Sequence, residues 1–247
     1  MRRVPSGLAR KRIFGIDEAA KILDVNRDSL RVILSRMEKN GLIERLEQGK
    51  YLVVPLTSEK GEYTLHEFVI GSALVEPYSI AYWSALNYHG LTEQIPSTIF
   101  IQTTSRKKNN DLNIFGIRYL LVKVSDYKFF GTEKIWIESL PVVVTSREKT
   151  IVDCLDKPEY CGGVVEVVKA LNNGKFDLDL LASYAFAMKN SGVIRRLGFL
   201  CEVLNIVIDL PLVETRSYLY LDPTMPKKGP SNSKWRLKVN LDLGELE

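Results

Sequence analysis

The chain has 247 residues, 45% hydrophobic and 26% charged, with a formal net charge of +4. That is an ordinary soluble composition, large enough for one big or two modest cores, and two domains is the expectation. No apolar run is long enough to span a bilayer or to follow the basic start as a signal peptide requires, so a cytoplasmic protein with no membrane partner is expected.

Charge is unevenly spread: residues 1–60 carry 13 Lys and Arg against 8 Asp and Glu, the remainder 21 against 22. A basic module on a near-neutral body suits a DNA reader, because phosphate neutralisation supplies most non-specific affinity. The start, MRRVPSGLARKRIF, adds Arg10, Lys11 and Arg12. It reads as a short helix capped by Ser6, as a basic arm reaching a groove or backbone, or as a frayed terminus. A first full helix is expected from Asp17, whose side-chain oxygen caps it, through Ala19, Ala20, Ile22 and Leu23. Asp24-Val25-Asn26 turns the chain into a second helix, Arg27 to Lys39, with Leu30, Ile33, Leu34 and Met37 on one apolar face. Gly41 ends it. Leu42 to Leu46 and Tyr51 to Val54 read as strands joined by the turn Glu47-Gln48-Gly49-Lys50.

Helix, turn, helix, glycine and hairpin in that order is a winged helix-turn-helix pattern, and its partner would be double-stranded DNA. The apolar stripe leaves Arg27, Arg31 and Ser35 on one outer flank of the second helix and Ser29 and Arg36 on the other. Arginine can donate two parallel hydrogen bonds to guanine or clamp a phosphate, and serine serves backbone or base edges. The plain alternative for these arginines is a solvated helix face, and for the outward Val32 an ordinary exposed apolar residue. Lys50, at the wing tip, is expected to contact phosphate.

Pro55 to Tyr63 is polar and breaks both periodicities, which places a domain boundary between a 1–56 module and a 62–247 body. Helices are expected at Leu65 to Leu74 and from Pro77-Tyr78-Ser79 to Gly90. The β-branched runs Thr98 to Thr103, Ile114 to Val124, Lys134 to Glu138 and Val142 to Thr145 read as one sheet, with the basic loop at 105–111 at a hairpin end. Helices then follow at Arg147 to Leu155, Gly163 to Leu171, Asp177 to Lys189 and Ser191 to Asn205, the last carrying Arg195-Arg196 away from its apolar side. After a Pro/Gly/Ser-rich basic loop at 222–234, Trp235 to Leu241 alternates strictly and is expected to return to the sheet with Trp235, Leu237, Val239 and Leu241 buried. The fold class is therefore α+β: a winged helix-turn-helix followed by a mixed α/β domain.

Several segments in this order, PYSIAYWSALNYHGL (77–91), QIPSTIFIQT (94–103), SREKTIVDCLDKPEYCGG (146–163), SGVIRRLGFLCEVL (191–204) and LDP…KKGPSNSKWRLKVN (221–240), resemble the AbiEi family behind its winged helix. These are transcriptional-regulator antitoxins of type IV, abortive-infection toxin–antitoxin systems. The resemblance implies autorepression through inverted repeats upstream of the operon, and a C-terminal antitoxin domain opposing a nucleotidyltransferase-like toxin without a stable complex. The chain departs from the family before the motif, where a short segment containing Pro5 and Gly7 stands in place of a full helix.

The competing class is an enzyme acting on nucleic acid or nucleotides, and the residues argue against it. A restriction-type nuclease needs clustered carboxylates and a lysine around Mg²⁺; no Glu-x-Lys occurs beyond residue 60, and Asp126-Tyr127-Lys128 falls in a turn. Gly71-Ser72 lies far from Asp177-x-Asp179, which helix capping explains, so no nucleotidyltransferase motif is present. His66 and His89 have no metal-ligand spacing, and the three cysteines, Cys154, Cys161 and Cys201, form no CxxC, so no metal site, catalytic triad or cofactor is signalled. A third reading is a solitary metabolite-responsive regulator, with Tyr82, Trp83 and Tyr88 lining a pocket or simply filling a core. In the second domain, Arg106, Lys107, Lys108, Arg195, Arg196, Lys227, Lys228, Lys234 and Arg236 are candidates for further nucleic-acid contact, against the alternative of solvated loop charge.

Overall fold

The computed structural model describes residues 3–55 and 65–242. Most of the polar segment expected as the linker lies outside them. The protein is α+β, and it divides into two compact units, Met1–Leu74 and Val75–Glu247. Residues 65–74, expected to open the second domain, thus belong with the first. The reason is local: the Lys50 ammonium donates to the carbonyls of Ala73 and Leu74, tying that stretch to the hairpin. Among the described residues no helix is long and apolar enough to cross a membrane.

The first unit runs α1 (Ser6–Ala9), β1 (Ile13–Gly15), α2 (Ile16–Leu23), α3 (Arg27–Lys39), β2 (Ile43–Glu47), β3 (Lys50–Val53) and α4 (Glu67–Ser72). The three strands form an antiparallel sheet in the order β1-β3-β2. Its core joins Leu8, Phe14, Ala19, Leu30, Leu34, Met37, Ile43 and Tyr51. From Val4 onward the basic start is therefore folded rather than an arm. Ser6 does not cap α1; Pro5 holds that position and no side chain accepts there. Asp17 does not cap α2 either, because β1 runs directly into the helix and leaves Gly15 at the cap.

In the second unit, β4 (Ser79–Ile80), α5 (Tyr82–Tyr88), β5 (Thr98–Thr103), β6 (Asp111–Ile114), β7 (Ile117–Lys123), β8 (Thr132–Ile137) and β9 (Leu140–Thr145) precede four helices, α6 (Arg147–Asp156), α7 (Val164–Asn173), α8 (Leu178–Ala187) and α9 (Ser191–Val203). The sheet order is β6-β7-β5-β4-β9-β8, with β5–β7 and β4–β9 parallel and the other pairs antiparallel. Ser146, Asp177 and Asn190 accept from the opening backbone N–H groups of α6, α8 and α9, as N-cap residues should. Helix α6 packs on α5, α7, α8 and α9 and is buried on every side from Glu148 to Leu155. Its fully buried Lys149 survives by pairing with Asp153 one turn on and by lying 4.8 Å from the centre of the Phe130 ring. Burial pushes the Asp153 carboxyl up, with Lys149 pulling the other way.

Three expectations change. Tyr78-Ser79 does not open a helix: Ser79 and Ile80 form β4, the strand linking β5 to β9, and α5 begins only at Tyr82. The basic loop at 105–111 is not a hairpin end, because β5 runs parallel to β7 and β6 pairs with β7. Finally, residues 235–241 do not rejoin the large sheet. They join a separate one, β10 (Leu219–Tyr220), β11 (Ser231–Asn232) and β12 (Leu237–Lys238), in the order β10-β12-β11. Arg236, at φ 54°, breaks the extended run, although Trp235, Leu237 and Leu241 are buried as their alternation requires.

What holds this small sheet is the Arg195-Arg196 pair, which sequence reasoning had placed on an outward face. Both are buried. Arg195 donates to the carbonyls of Trp235 (3.0 Å), Ser217 (2.9 Å) and Arg236, and Arg196 to those of Leu221 (2.9 Å), Leu155 (2.9 Å) and Tyr220 (3.2 Å). They are unavailable to nucleic acid. Beside them the Trp235 indole lies on Gly198, where an added Cβ would collide with the ring, and its Nε1 donates to Glu202 at 2.7 Å. Gly198→Ala should therefore lower unfolding stability by about 1–3 kcal/mol, the usual range for overpacking, read as a lower urea midpoint. Arg196→Met should cost about 3 kcal/mol or more, since it leaves three carbonyls without their donor; an unchanged midpoint would show that these bonds do not hold the small sheet.

Candidate nucleic-acid interface

The surface with most of the sequence-predicted residues lies on α3 and the β2–β3 hairpin. Asp24 takes a left-handed conformation (φ 49°) that turns the chain after α2, and the Asn26 side chain caps α3 by accepting from Ser29 N–H at 2.8 Å. At the other end Gly41, φ 68°, allows Leu42 N–H to reach Met37 C=O (3.0 Å) and Gly41 N–H to reach Glu38 C=O (3.1 Å). This six-to-one and five-to-two pairing satisfies the last carbonyls and directs the chain into β2. With both ends fixed, Leu30, Leu34 and Met37 face the core and Arg27, Ser29, Arg31, Val32, Ser35 and Arg36 are exposed.

Between α3 and the hairpin opens a groove of about 590 Å³. Arg27, Arg31, Ser35 and Glu38 line it from the helix, Asp17 from α2, and Arg45, Gln48 and Gly49 from the hairpin. The flank of Arg27, Arg31 and Ser35 expected from the helical wheel is thus brought together, while Ser29 and Arg36 lie outside the groove. Arg45 and Gln48 escaped the sequence reading. The alternation of β2, in which Arg45 is exposed between buried Glu44 and Leu46, was the signal for the first of them.

The groove is not uniformly basic. Arg27 pairs with Asp17 at 2.8 Å and Arg31 approaches Asp28 at 3.5 Å. All four side chains are more than two-thirds exposed, so these ion pairs are weak and can yield to a stronger anion. Arg36 makes no ion pair among the described residues, and neither does exposed Arg10. Lys11 is tied to Glu18 at 2.7 Å. Arg12 sits where β1 begins, its carbonyl accepting from Val53 N–H at 2.9 Å.

Lys50 is not a free wing-tip cation. It begins β3, pairs with Glu47 at 3.1 Å and donates to Leu74 C=O at 3.0 Å as well as to Ala73 C=O. The tip is Gln48-Gly49. The reason is the hairpin register, which turns after Glu47 and directs Lys50 inward, towards the stretch that follows α4.

The second-unit candidates follow different elements. Exposed Arg106 and Lys108 and half-buried Lys107 follow β5 of the large sheet, whereas exposed Lys227 and Lys228 precede β11 of the small one. Lys234 pairs with Glu202 at 2.8 Å and lies over Trp235; Arg236 donates to the Tyr218 hydroxyl at 3.2 Å and lies over its ring. Arg236 is half-buried in that packing, whereas Lys234 stays exposed.

Among the described residues no group of three His, Cys, Asp or Glu side chains is placed to hold a metal. His66 caps α4 by accepting from Phe68 N–H at 3.1 Å, and the His89 ring bonds Thr145 C=O at 2.7 Å, with burial lowering its pKa. The three cysteines are buried, and burial raises the Cys154 thiol and pushes Cys201 up to about 12, which makes both inert. Asp177 serves as the cap of α8, and Lys128 of the Asp126-Tyr127-Lys128 turn is tied to Asp156 at 2.7 Å. Tyr82 is buried in the core.

No family model and no curated protein matches the chain. Among solved structures it is similar to the RV2827C protein from Mycobacterium tuberculosis, with a TM-score of 0.61 and 14% sequence identity, over 96% of this chain and 92% of that one. At that identity the likeness concerns the fold, and it extends over nearly the whole of both chains.

The position of Lys50 makes a prediction that separates it from the α3 arginines. Lys50→Met should lower the melting temperature, because two carbonyls lose their donor, while leaving the affinity for any nucleic acid and its salt dependence as they were. A changed salt slope at unchanged stability would restore Lys50 to the interface.

Proposed function

We propose that the first unit is a winged helix-turn-helix, that the protein is a sequence-preferring DNA-binding repressor of its own operon, and that it serves as the antitoxin of a type IV pair. The observation that carries the DNA reading is α3. Its apolar stripe is buried and both its ends are fixed, and it presents Arg31 and Ser35 to solvent along a groove edged by a β-hairpin, with Arg36 exposed on its other flank. A capped helix with an exposed basic flank is what major-groove docking needs, since the donors must be held in register with base edges before contact. The excess of Lys and Arg in residues 1–60 supports non-specific attraction to phosphate. The antitoxin part rests on the AbiEi-like segments, and its partner would be a nucleotidyltransferase-like toxin.

Binding to DNA from upstream of its own gene, measured by gel shift against scrambled competitor at two salt concentrations, tests the first part. Arg31→Ala and Arg36→Ala should each weaken specific binding, by about 1–3 kcal/mol where the side chain makes a bidentate base contact, and less, for all sequences alike, where it touches phosphate. Asp17→Asn should act in the opposite direction, tightening binding by freeing Arg27 and removing a negative charge from the groove wall. Absence of binding at low salt would end the DNA reading. Co-expression with the neighbouring gene tests the second part: growth arrest relieved by this chain supports an antitoxin, and a harmless neighbour removes it.

A further inference from the structure

We propose that the protein associates with a second copy of itself by pairing the two β8 strands antiparallel across a two-fold axis, which joins the two six-stranded sheets edge to edge. The inference stands whether or not the first unit binds DNA.

The large sheet ends in β6 on one side and β8 on the other, and the two edges differ. Strand β6 is short and protected: its exposed positions are Asp111 and Asn113, and Asp111 is held by Arg118 of β7 in a two-point ion pair. Such devices discourage edge pairing. Strand β8, six residues of sequence TEKIWI, has no proline and no bulge, and keeps an unbroken register with β9 from Thr132↔Thr145 to Ile137↔Leu140. Among the described residues no strand covers its outer side. Trp136 is 66% exposed, the largest exposed side chain on this edge.

The hairpin determines which backbone groups are free. Glu138 and Ser139, at φ 49° and 64°, make the two-residue turn that closes on the pair Ile137 and Leu140. Ile137, Ile135 and Glu133 therefore bond β9, and the N–H and C=O groups of Trp136, Lys134 and Thr132 point outward. A two-fold copy can meet this edge in several registers. Glu133 opposite Glu133 and Lys134 opposite Lys134 each set like charges face to face, which is unfavourable. Trp136 opposite Trp136 leaves one strand pair only, since Glu138 and Ser139 are no longer extended. Ile135 opposite Ile135 makes four main-chain hydrogen bonds through Lys134 and Trp136. It also sets each Lys134 ammonium against the other copy's indole, the cation–π contact that Lys134 already makes within its own strand at 5.1 Å. In that register no two like charges face each other. The strand is self-complementary, and a second copy is the occupant that its chemistry fits.

Sedimentation velocity of the full chain over a concentration series should show a monomer–dimer equilibrium. Lys134→Pro removes an outward N–H without touching the β9 ladder, and should shift the equilibrium to monomer with an unchanged circular dichroism spectrum. Cysteine substitution reads the register and holds even if the proline variant fails to fold. Ile135→Cys brings two Cα atoms to about 4.5 Å, within reach of a disulfide, and should yield a covalent dimer on mild oxidation, whereas Trp136→Cys, facing Lys134, should not. The native cysteines are buried and do not interfere. A wild-type chain that stays monomeric up to its solubility limit, a folded Lys134→Pro variant that still dimerises, or equal cross-linking of the two cysteine variants would each overturn the proposal.

Discussion

Two adjacent arginines on one helix carry the architecture of the second unit. The strands β10, β11 and β12 have two residues each, too few to satisfy their own main-chain groups, and an unpaired buried carbonyl is costly. Arg195 and Arg196 answer this with planar guanidinium groups that donate to carbonyls contributed by Leu155, Ser217, Tyr220, Leu221, Trp235 and Arg236. A lysine, whose three donors radiate from a single nitrogen, could not span carbonyls spread along a planar fork. Burial draws the pKa of both guanidinium groups down from the ordinary arginine value. Gly198 and Trp235 complete the clamp, because only a missing Cβ lets the indole lie against α9.

The same logic recurs around α6. A helix buried on all sides has no solvent for its polar residues, so each must find a partner within the protein. Lys149 pairs with Asp153 and Thr150 bonds back to Ser146 C=O at 2.7 Å. Glu148 accepts from Asp177 N–H at 3.2 Å, which links α6 to the start of α8. These bonds orient α6 among its neighbours, and the sheet residues Phe100 and Val122 close the same core.

In the first unit the economy is different. Core residues are few and apolar, and the polar groups are spent at turns: Asn26 at the cap of α3, Gly41 at its end, Lys50 on the carbonyls of Ala73 and Leu74. The solvent face of α3 is left with arginines whose ion pairs are exposed and weak. A surface built that way keeps its backbone rigid and its charges available.

Much of this was legible in the sequence where local chemistry decides. Apolar spacing in α3, the stop at Gly41, the cap Asp177 and the β-branched run of β5 all depend on residues within a turn or two of one another. Alternation in Trp235 to Leu241 named three buried side chains, Trp235, Leu237 and Leu241, while Val239 is only half-buried, because burial of an extended segment has a period of two wherever it is placed. Partner choice was not legible. Whether that segment joined the large sheet or a small one, whether β5 paired with β6 or β7, and whether Lys50 met solvent or two carbonyls depend on residues distant in sequence. Arg195 and Arg196 show this most clearly. By composition they read as surface charge, and only the carbonyls converging on α9 from remote parts of the chain made them interior, since a charged donor is stable inside a protein only where tertiary structure has already gathered its acceptors.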